Sequence, residues 1–241
     1  MLPRNLLTMR GHLRRCWLFV YRSPQEAVRS ILPYPLEPVT FGCFAFWNIV
    51  VCELTRMRPW PLPAALGFAY WHVAYRLHVR APAADGHTLE GLHFVRSDCS
   101  SRLVTTLGNC LTDFQFHTGR IAVAGRNGSV AGRIDAPGGS AEFCLRRGTA
   151  PALAEGSPFP NLEQAEAFLK YKPFGLSVAP DGRVKVVRVI RDETAWRSRL
   201  VAVENARWEF FNGIPVGFEI CSEVEPIDYQ WCSDEPLPAA P

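Results

Sequence analysis

The sequence predicts an α+β domain built on a large antiparallel sheet that curls into a barrel-like cone, with two or three peripheral helices. It contains many short runs with strand-like patterning, turn-forming residues that separate these runs, and few stretches with helical spacing. No Gly/Ser-rich or charge-rich linker divides the 241 residues. We therefore expect a single domain over residues 1–241, with a core of about 16–231.

The first predicted elements are a strand, a short helix and a second, buried strand. Residues 16–21 form an apolar run typical of a strand, and Ser23-Pro24-Gln25-Glu26 has the capping-box spacing of a helix start. Residues 41–54 are nearly all apolar and rich in aromatic and β-branched side chains, which indicates a strand buried on both faces. The prolines of 59–63 then predict a stiff loop.

The next two elements are predicted to form a hairpin with one polar face. Residues 71–80 alternate between an apolar face and a face that carries Arg76 and His78. Asp85-Gly86 predicts a turn into a partner strand over 89–95. Alternation does not tell which face of 71–80 points inward: either the Arg/His face lines a cavity and holds an anion, or the apolar face fills the core and the Arg/His face meets water.

The rest of the chain predicts two helices among further strands. Asp98 is placed to cap one helix, and Asn161, three residues before Gln164, is placed to begin another. Turns that contain Gly and Pro separate the remaining runs, which are expected to form a meander and further hairpin strands. These runs are 114–124, 129–135, 141–146, 174–179, 184–191, 200–208 and 217–224.

The cations of the chain are almost all arginine. Lys170, Lys172 and Lys185 are the only lysines among 26 basic side chains, and the net charge is +3. Arginine binds carboxylates and phosphates but forms no Schiff base, so the bias favours anion binding, although a high genomic GC content gives the same bias. The arginines form no basic run, which argues against nucleic-acid binding.

The eight cysteines form no C-x-x-C motif and mostly lie among apolar neighbours, so neither a metal site nor a cofactor is predicted. No apolar stretch approaches the ~20 residues needed to cross a bilayer. These features favour a cytoplasmic protein with reduced thiols and no membrane partner. Homo-oligomerisation is left open.

Motifs along the chain resemble a known superfamily. Val28-Arg29-Ser30-Ile31-Leu32-Pro33-Tyr34-Pro35-Leu36-Glu37-Pro38, with the apolar strand after it, resembles the opening of acetoacetate decarboxylase-like proteins. Residues 75–80, the stretch from Phe94 through 100–103, and the helix of 162–172 resemble the uncharacterised YqjF-like branch of that superfamily. The resemblance spans about residues 16–231.

This resemblance implies a cone-shaped antiparallel barrel with a buried pocket. In the decarboxylase proper, two adjacent lysines act there, one of which forms a Schiff base with a β-keto acid. Those lysines correspond to Phe114 and Gln115 here, and no lysine occurs before Lys170. A phenyl ring or an amide cannot form an imine, so the decarboxylation of the family is not expected at these positions.

Three of the candidate ligand-binding residues are Arg76, His78 and Arg102. Arg76 matches an arginine of the YqjF-like pattern, and His78 lies on the same strand face. Ser100-Ser101-Arg102 begins a predicted helix, where backbone N–H groups favour an anion, although simple capping is the better explanation of the serines.

Two further candidates are Gln115 and His117. They alternate with Phe114 and Phe116, so both are expected to line the pocket at the position where the relatives keep their amine. His117 is also suited to transfer protons near neutral pH.

Three functions from different classes fit the sequence. The leading hypothesis is a small-molecule-binding protein, or a non-Schiff-base enzyme, whose barrel pocket holds a small organic anion through Arg76 with Gln115 and His117 as polar partners. The second is a lysine-dependent decarboxylase or aldolase-type lyase whose amine has moved to Lys170 or Lys172. The third is a pocketless structural or interaction subunit, its cavity filled by aromatic side chains of the apolar strand after residue 40.

Overall fold

The computed structural model describes residues 7–82, 87–148, 151–170, 172–232 and 235–236 of the chain. The helices are α1 (Gln25–Arg29), α2 (Arg102–Leu111) and α3 (Leu162–Leu169), with 3-10 turns at Ala64–Leu66 and Glu209–Phe211. The strands are β1 (Met9–Pro24), β2 (Glu37–Pro38), β3 (Thr40–Phe41), β4 (Phe44–Pro59), β5 (Phe68–Pro82), β6 (Thr88–Cys99), β7 (Phe116–Thr118), β8 (Arg120–Arg126), β9 (Ser129–Asp135), β10 (Ala141–Arg146), β11 (Phe174–Val178), β12 (Val184–Arg191), β13 (Ser198–Leu200), β14 (Ala202–Trp208), β15 (Gly217–Val224), β16 (Ile227–Trp231) and β17 (Glu235–Pro236).

The main sheet closes on itself. Within the described ranges it has 13 strands and follows the order β13-β15-β1-β16-β12-β11-β6-β5-β4-β3. A further pairing of β1 with β4 joins two strands of that path, so the segment from β1 to β4 forms a ring. The pairs are antiparallel except for short parallel contacts of β6 with β7 and β11. The predicted α+β fold with a large curled sheet and peripheral helices is confirmed.

The central strands of the ring are buried on both faces. In β4 the residues from Ala45 to Cys52 are all buried, as the apolar run at 41–54 predicts. On β5, Val73, Tyr75 and Leu77 pack into one core, and Ala74 belongs to a second core on the opposite face. The sheet therefore separates an outside core from the interior of the ring.

The outside core is completed by a second sheet of four described strands in the order β14-β10-β9-β8. Phe143 of this sheet packs edge-on against Phe19 of β1, with ring centroids 5.1 Å apart. The indole of Trp208 donates a hydrogen bond of 2.7 Å to the hydroxyl of Tyr21. Apolar burial and one satisfied polar contact thus hold the small sheet against the ring.

The helix starts differ in part from the sequence expectations. Asn161 caps α3 as predicted, since its side chain accepts from the Gln164 N–H at 2.9 Å. Ser101, and not Asp98, caps α2, because Asp98 lies inside β6 and binds Arg96. Ser23 does not cap α1, since its hydroxyl donates instead to the carbonyl of Pro215.

The β5–β6 hairpin pairs antiparallel as predicted, while its expected turn at Asp85-Gly86 lies outside the described residues. In the described ranges, no helix has the length and apolar character needed to span a membrane.

Candidate functional site

A cavity of about 70 Å³ lies inside the ring, and we call it the inner cavity. Its walls are mostly apolar side chains from strands on all sides of the ring, with a small number of polar groups among them, which is the usual composition of a ligand site. The described lining residues are Leu13, Cys16, Leu18, Val50, Cys52, Leu54, His72, Arg76, Phe94, Val189, Arg191, Trp196, Ile227, Tyr229 and Trp231.

Strand alternation brings the polar residues of β5 to this cavity. Successive side chains of a strand point to opposite faces, so His72 and Arg76 share one face while Val73 and Tyr75 occupy the other. The apolar face packs in the outside core, and the polar face lines the inner cavity. The alternative in which the Arg/His face meets water is wrong, since His72, Arg76 and His78 are at most 5% exposed and each side of β5 is covered by protein.

Arg76 is held in place by the neighbouring strand. Its side chain is 5% exposed, and Asn48 lies directly opposite on β4. The Arg76 guanidinium donates to the Asn48 side-chain oxygen and lies 5.6 Å from the centroid of the Phe94 ring. Asn48 is neutral, and this contact orients the guanidinium.

His72 is a neutral imidazole on the same wall. It is 2% exposed, and its ring packs against Phe116 with centroids 5.4 Å apart. Burial, and secondarily the charge of Arg76, lowers the pKa of His72 to about 3. Among the described residues its Nε2 has no hydrogen-bond partner, so this nitrogen is available to a ligand or a water molecule.

A second guanidinium reaches the cavity from β12. Arg191 is bound to Glu193 at 2.7 Å, and its guanidinium carbon lies 3.4 Å from the centroid of the Trp196 ring. The nearby Cys16 thiol remains protonated at neutral pH, because burial raises its pKa to about 12 despite both arginines. The described lining thus contains two guanidinium groups, one imidazole and no carboxylate.

Of the five residues predicted for the site, only Arg76 belongs to the described lining of the inner cavity. His78 lies on the same face of β5 and is fully buried, but it is not among the described lining residues. Arg102 is exposed at the first position of α2. The structure therefore does not bring these two residues together with Arg76 at the inner cavity, and their role in binding stays a prediction.

Gln115 and His117 are not among the described lining residues of the inner cavity either, and their role in binding also stays a prediction. Both are exposed, whereas Phe114 and Phe116 are buried on the opposite face of the same segment. The segment alternates, but its aromatic side chains take the inner face. They pack there on other rings such as Phe94, whose centroid is 4.5 Å from that of Phe114.

The three lysines lie outside the inner cavity. Lys170 is exposed after the last residue of α3, Lys172 binds Glu90 at 2.7 Å and Lys185 binds Asp113 at 3.3 Å. A relocated amine at these positions therefore does not reach the cavity. The aromatic side chains of β4 do not fill it either, since Phe46 and Trp47 belong to other clusters.

Sequence reasoning missed His72, Asn48 and Arg191 as site residues. His72 carried a usable signal, since it shares the alternating face of Arg76. Asn48 is an isolated polar residue in an apolar run, which is a second signal. Arg191 comes from a strand far away in sequence, and no local pattern connects it to the others. Within the part of the chain that the structure describes, no group of three or more His, Cys, Asp or Glu side chains is arranged to hold a metal ion.

Comparisons with known proteins agree with this fold. The model of a family described as an uncharacterized conserved protein, DUF2071, matches residues 10–213. No curated protein matches the chain. An acetoacetate decarboxylase-like enzyme from Sphingomonas wittichii RW1 has 14% sequence identity and a TM-score of 0.62, covering 97% of this chain and 93% of that one.

Two further solved structures are similar. Acetoacetate decarboxylase from Legionella pneumophila has 11% identity and a TM-score of 0.63, covering 95% of this chain and 87% of its own. The enduracididine biosynthesis enzyme MppR, complexed with pyruvate, has 12% identity and a TM-score of 0.62, covering 99% and 92%. The resemblance to the acetoacetate decarboxylase-like superfamily and its YqjF-like branch is confirmed, and these likenesses establish the fold.

Proposed function

Since the chain belongs to the DUF2071 family and its fold encloses a cavity with a cationic wall, we propose that it binds a small organic anion in the inner cavity. A short carboxylate fits this description. The carboxylate accepts hydrogen bonds from Arg76, and the neutral His72 ring offers one more polar contact.

The observation that carries the proposal is the charge of the lining. Arg76 is almost fully buried, and no carboxylate is among the described lining residues, while Arg191 at the same cavity is already paired with Glu193. Burying a guanidinium away from water costs free energy, and an anion placed against it offsets that cost. In a water-poor cavity the attraction is also stronger than in bulk solvent.

The size of the cavity and the position of the lysines narrow the proposal. A volume of about 70 Å³ admits only a few non-hydrogen atoms. No lysine is among the described lining residues, so we propose a non-covalent complex and no imine. MppR, which has a similar fold, was solved with pyruvate, a carboxylate of suitable size.

Titration calorimetry with acetate, pyruvate and acetoacetate tests the proposal. We expect Arg76→Gln to weaken the binding of the best of these acids at least tenfold, since a charged hydrogen bond is lost. Arg76→Lys, which keeps a cation, is expected to lose less. Arg80→Gln is the matched control, because Arg80 lies on the same strand but is exposed and binds Glu37.

Circular dichroism establishes that each variant is folded. The proposal is wrong if none of the three acids binds the wild-type protein, or if Arg76→Gln and Arg80→Gln bind equally well. Borohydride treatment with pyruvate provides a second check: we expect no increase in mass, whereas a covalent adduct would support the lysine-dependent alternative.

A further inference from the structure

A second, apolar compartment lies beside the inner cavity, and we call it the outer compartment. Its volume is about 170 Å³, and α2 covers it with Val104 and Leu107. Tyr70, Phe114 and Val187 contribute to the other walls. No charged side chain is among its described lining residues, so it suits a hydrocarbon group and not an anion.

The two compartments follow each other along the inside of the same ring. On β5, Tyr70 lines the outer compartment and His72, the next residue on that face, lines the inner cavity. On β12, Val187 lines the outer compartment and Val189, the next residue on that face, lines the inner cavity. Trp231 lines both spaces, so the two compartments adjoin at this side chain.

We propose that the two compartments form one amphipathic site, which binds a carboxylate with an apolar chain or ring. The carboxylate lies against Arg76, and the apolar part passes Trp231 into the outer compartment. This inference rests on the proposed function and narrows its ligand class. It explains why cationic side chains and apolar side chains line neighbouring stretches of the same face of one strand.

A chain-length series tests the proposal. Titration calorimetry with straight-chain acids from butyrate to decanoate is expected to show affinity rising about fourfold per added methylene until the outer compartment is filled. A ligand confined to the inner cavity would show no such rise.

Two leucines of α2 provide a matched pair of variants. Leu107 lines the outer compartment and is 47% exposed, whereas Leu103, one turn earlier, is exposed and is not among the lining residues. We expect Leu107→Glu to weaken octanoate binding at least tenfold and to leave acetate binding unchanged, while Leu103→Glu changes neither. Leu107→Gln repeats the test without adding a charge.

The outcomes separate this inference from the proposed function. If acetate or pyruvate binds through Arg76 but affinity is independent of chain length, the inference is wrong and the proposed function stands. If no carboxylate binds, both are wrong. If Leu107→Glu converts a dimer into a monomer in sedimentation velocity without changing octanoate affinity, the apolar surface is a contact between two copies of the chain and the inference is overturned.

Discussion

Burial in this fold constrains the protonation of two histidines, His72 and His78. His78 is fully buried, and within the described chain neither ring nitrogen has a hydrogen-bond partner. Burial, with smaller contributions from Arg76 and Lys172, lowers the pKa of His78 to about 3. The folded protein therefore keeps the ring neutral, while the unfolded chain takes up a proton below pH 6.5 or so.

We expect His78 to make the protein less stable as the pH falls. Since its folded pKa is depressed, its contribution to the free energy of unfolding is complete above about pH 6.5 and is lost progressively toward pH 3. Between pH 6.5 and pH 5 the loss is about 2 kcal/mol. Urea unfolding at pH 7 and pH 5 should therefore show a loss of stability that is smaller in His78→Leu than in the wild type by about 2 kcal/mol.

Val79→Ala is the control for this measurement, because it changes a buried position of the same strand that carries no titratable group. It should leave the pH dependence as in the wild type. His72 has a depressed pKa for the same reason, so His78→Leu retains the part of the dependence that comes from His72. An unchanged profile in His78→Leu would contradict the assignment.

At the same scale, the candidate site was predictable only where one strand carries the signal. Alternation over 71–80 and the family resemblance select Arg76, and the same alternation includes His72. For 114–117, alternation defines two faces but not their direction, and packing of Phe114 and Phe116 decides it. Burial of two rings outweighs burial of an amide and an imidazole, so the polar side chains face outward.

At the scale of elements, α2 packs closely on β7 through Gly108. A Cβ atom added at Gly108 would lie 2.4 Å from the Phe116 ring, which is closer than non-bonded carbon atoms approach. The Phe116 backbone is bonded at both its N–H and its carbonyl to the Asn109 side chain of α2, so the segment that carries the ring cannot shift freely away from the helix. The glycine therefore sets the distance between the helix and the strand that together wall the outer compartment.

We expect Gly108→Ala to lower the free energy of unfolding by about 1 kcal/mol, since overpacking of about 1–3 kcal/mol exceeds the helix-propensity gain of about 1 kcal/mol. Thr106→Ala, at an exposed position of the same helix, should stabilise slightly. Chemical denaturation measures both. A stabilised Gly108→Ala protein would show that the helix moves freely away from Phe116.

Helix boundaries were predictable where the capping contact is local. Asn161 and Gln164 are three residues apart, and the expected bond forms. The sequence does not distinguish the two possible roles of Asp98, because a short polar residue before a helix gives the same pattern whether its side chain caps the helix or binds another side chain. In the structure the Asp98 carboxylate accepts a hydrogen bond of 2.9 Å from the Nε of Arg96, two residues away on β6.

At the scale of the whole molecule, the sequence predicts the strand content and the curled sheet but not the division into two sheets. The meander over 120–146 appears as expected in β8, β9 and β10. The fourth strand of that sheet, β14, lies some 60 residues later in the chain, and local sequence patterns do not predict its pairing with β10. Closure of the ring by β1 and β4 is likewise a long-range pairing, which alternation leaves unspecified.

The shared outside core leads us to propose that residues 1–241 fold as one domain, and it makes a last prediction. Phe143 of the small sheet packs against Trp17 and Phe19 of the ring, and Trp208 binds Tyr21, so neither sheet buries its apolar face alone. Differential scanning calorimetry should therefore show one transition with equal calorimetric and van't Hoff enthalpies.

Phe143→Ala should lower the free energy of unfolding by about 3–5 kcal/mol and keep a single transition. Glu142→Ala, at an exposed position of the same strand, should change the free energy of unfolding by less than about 0.5 kcal/mol. Two separate transitions, with only the first shifted by Phe143→Ala, would mean that the ring is stable without the small sheet.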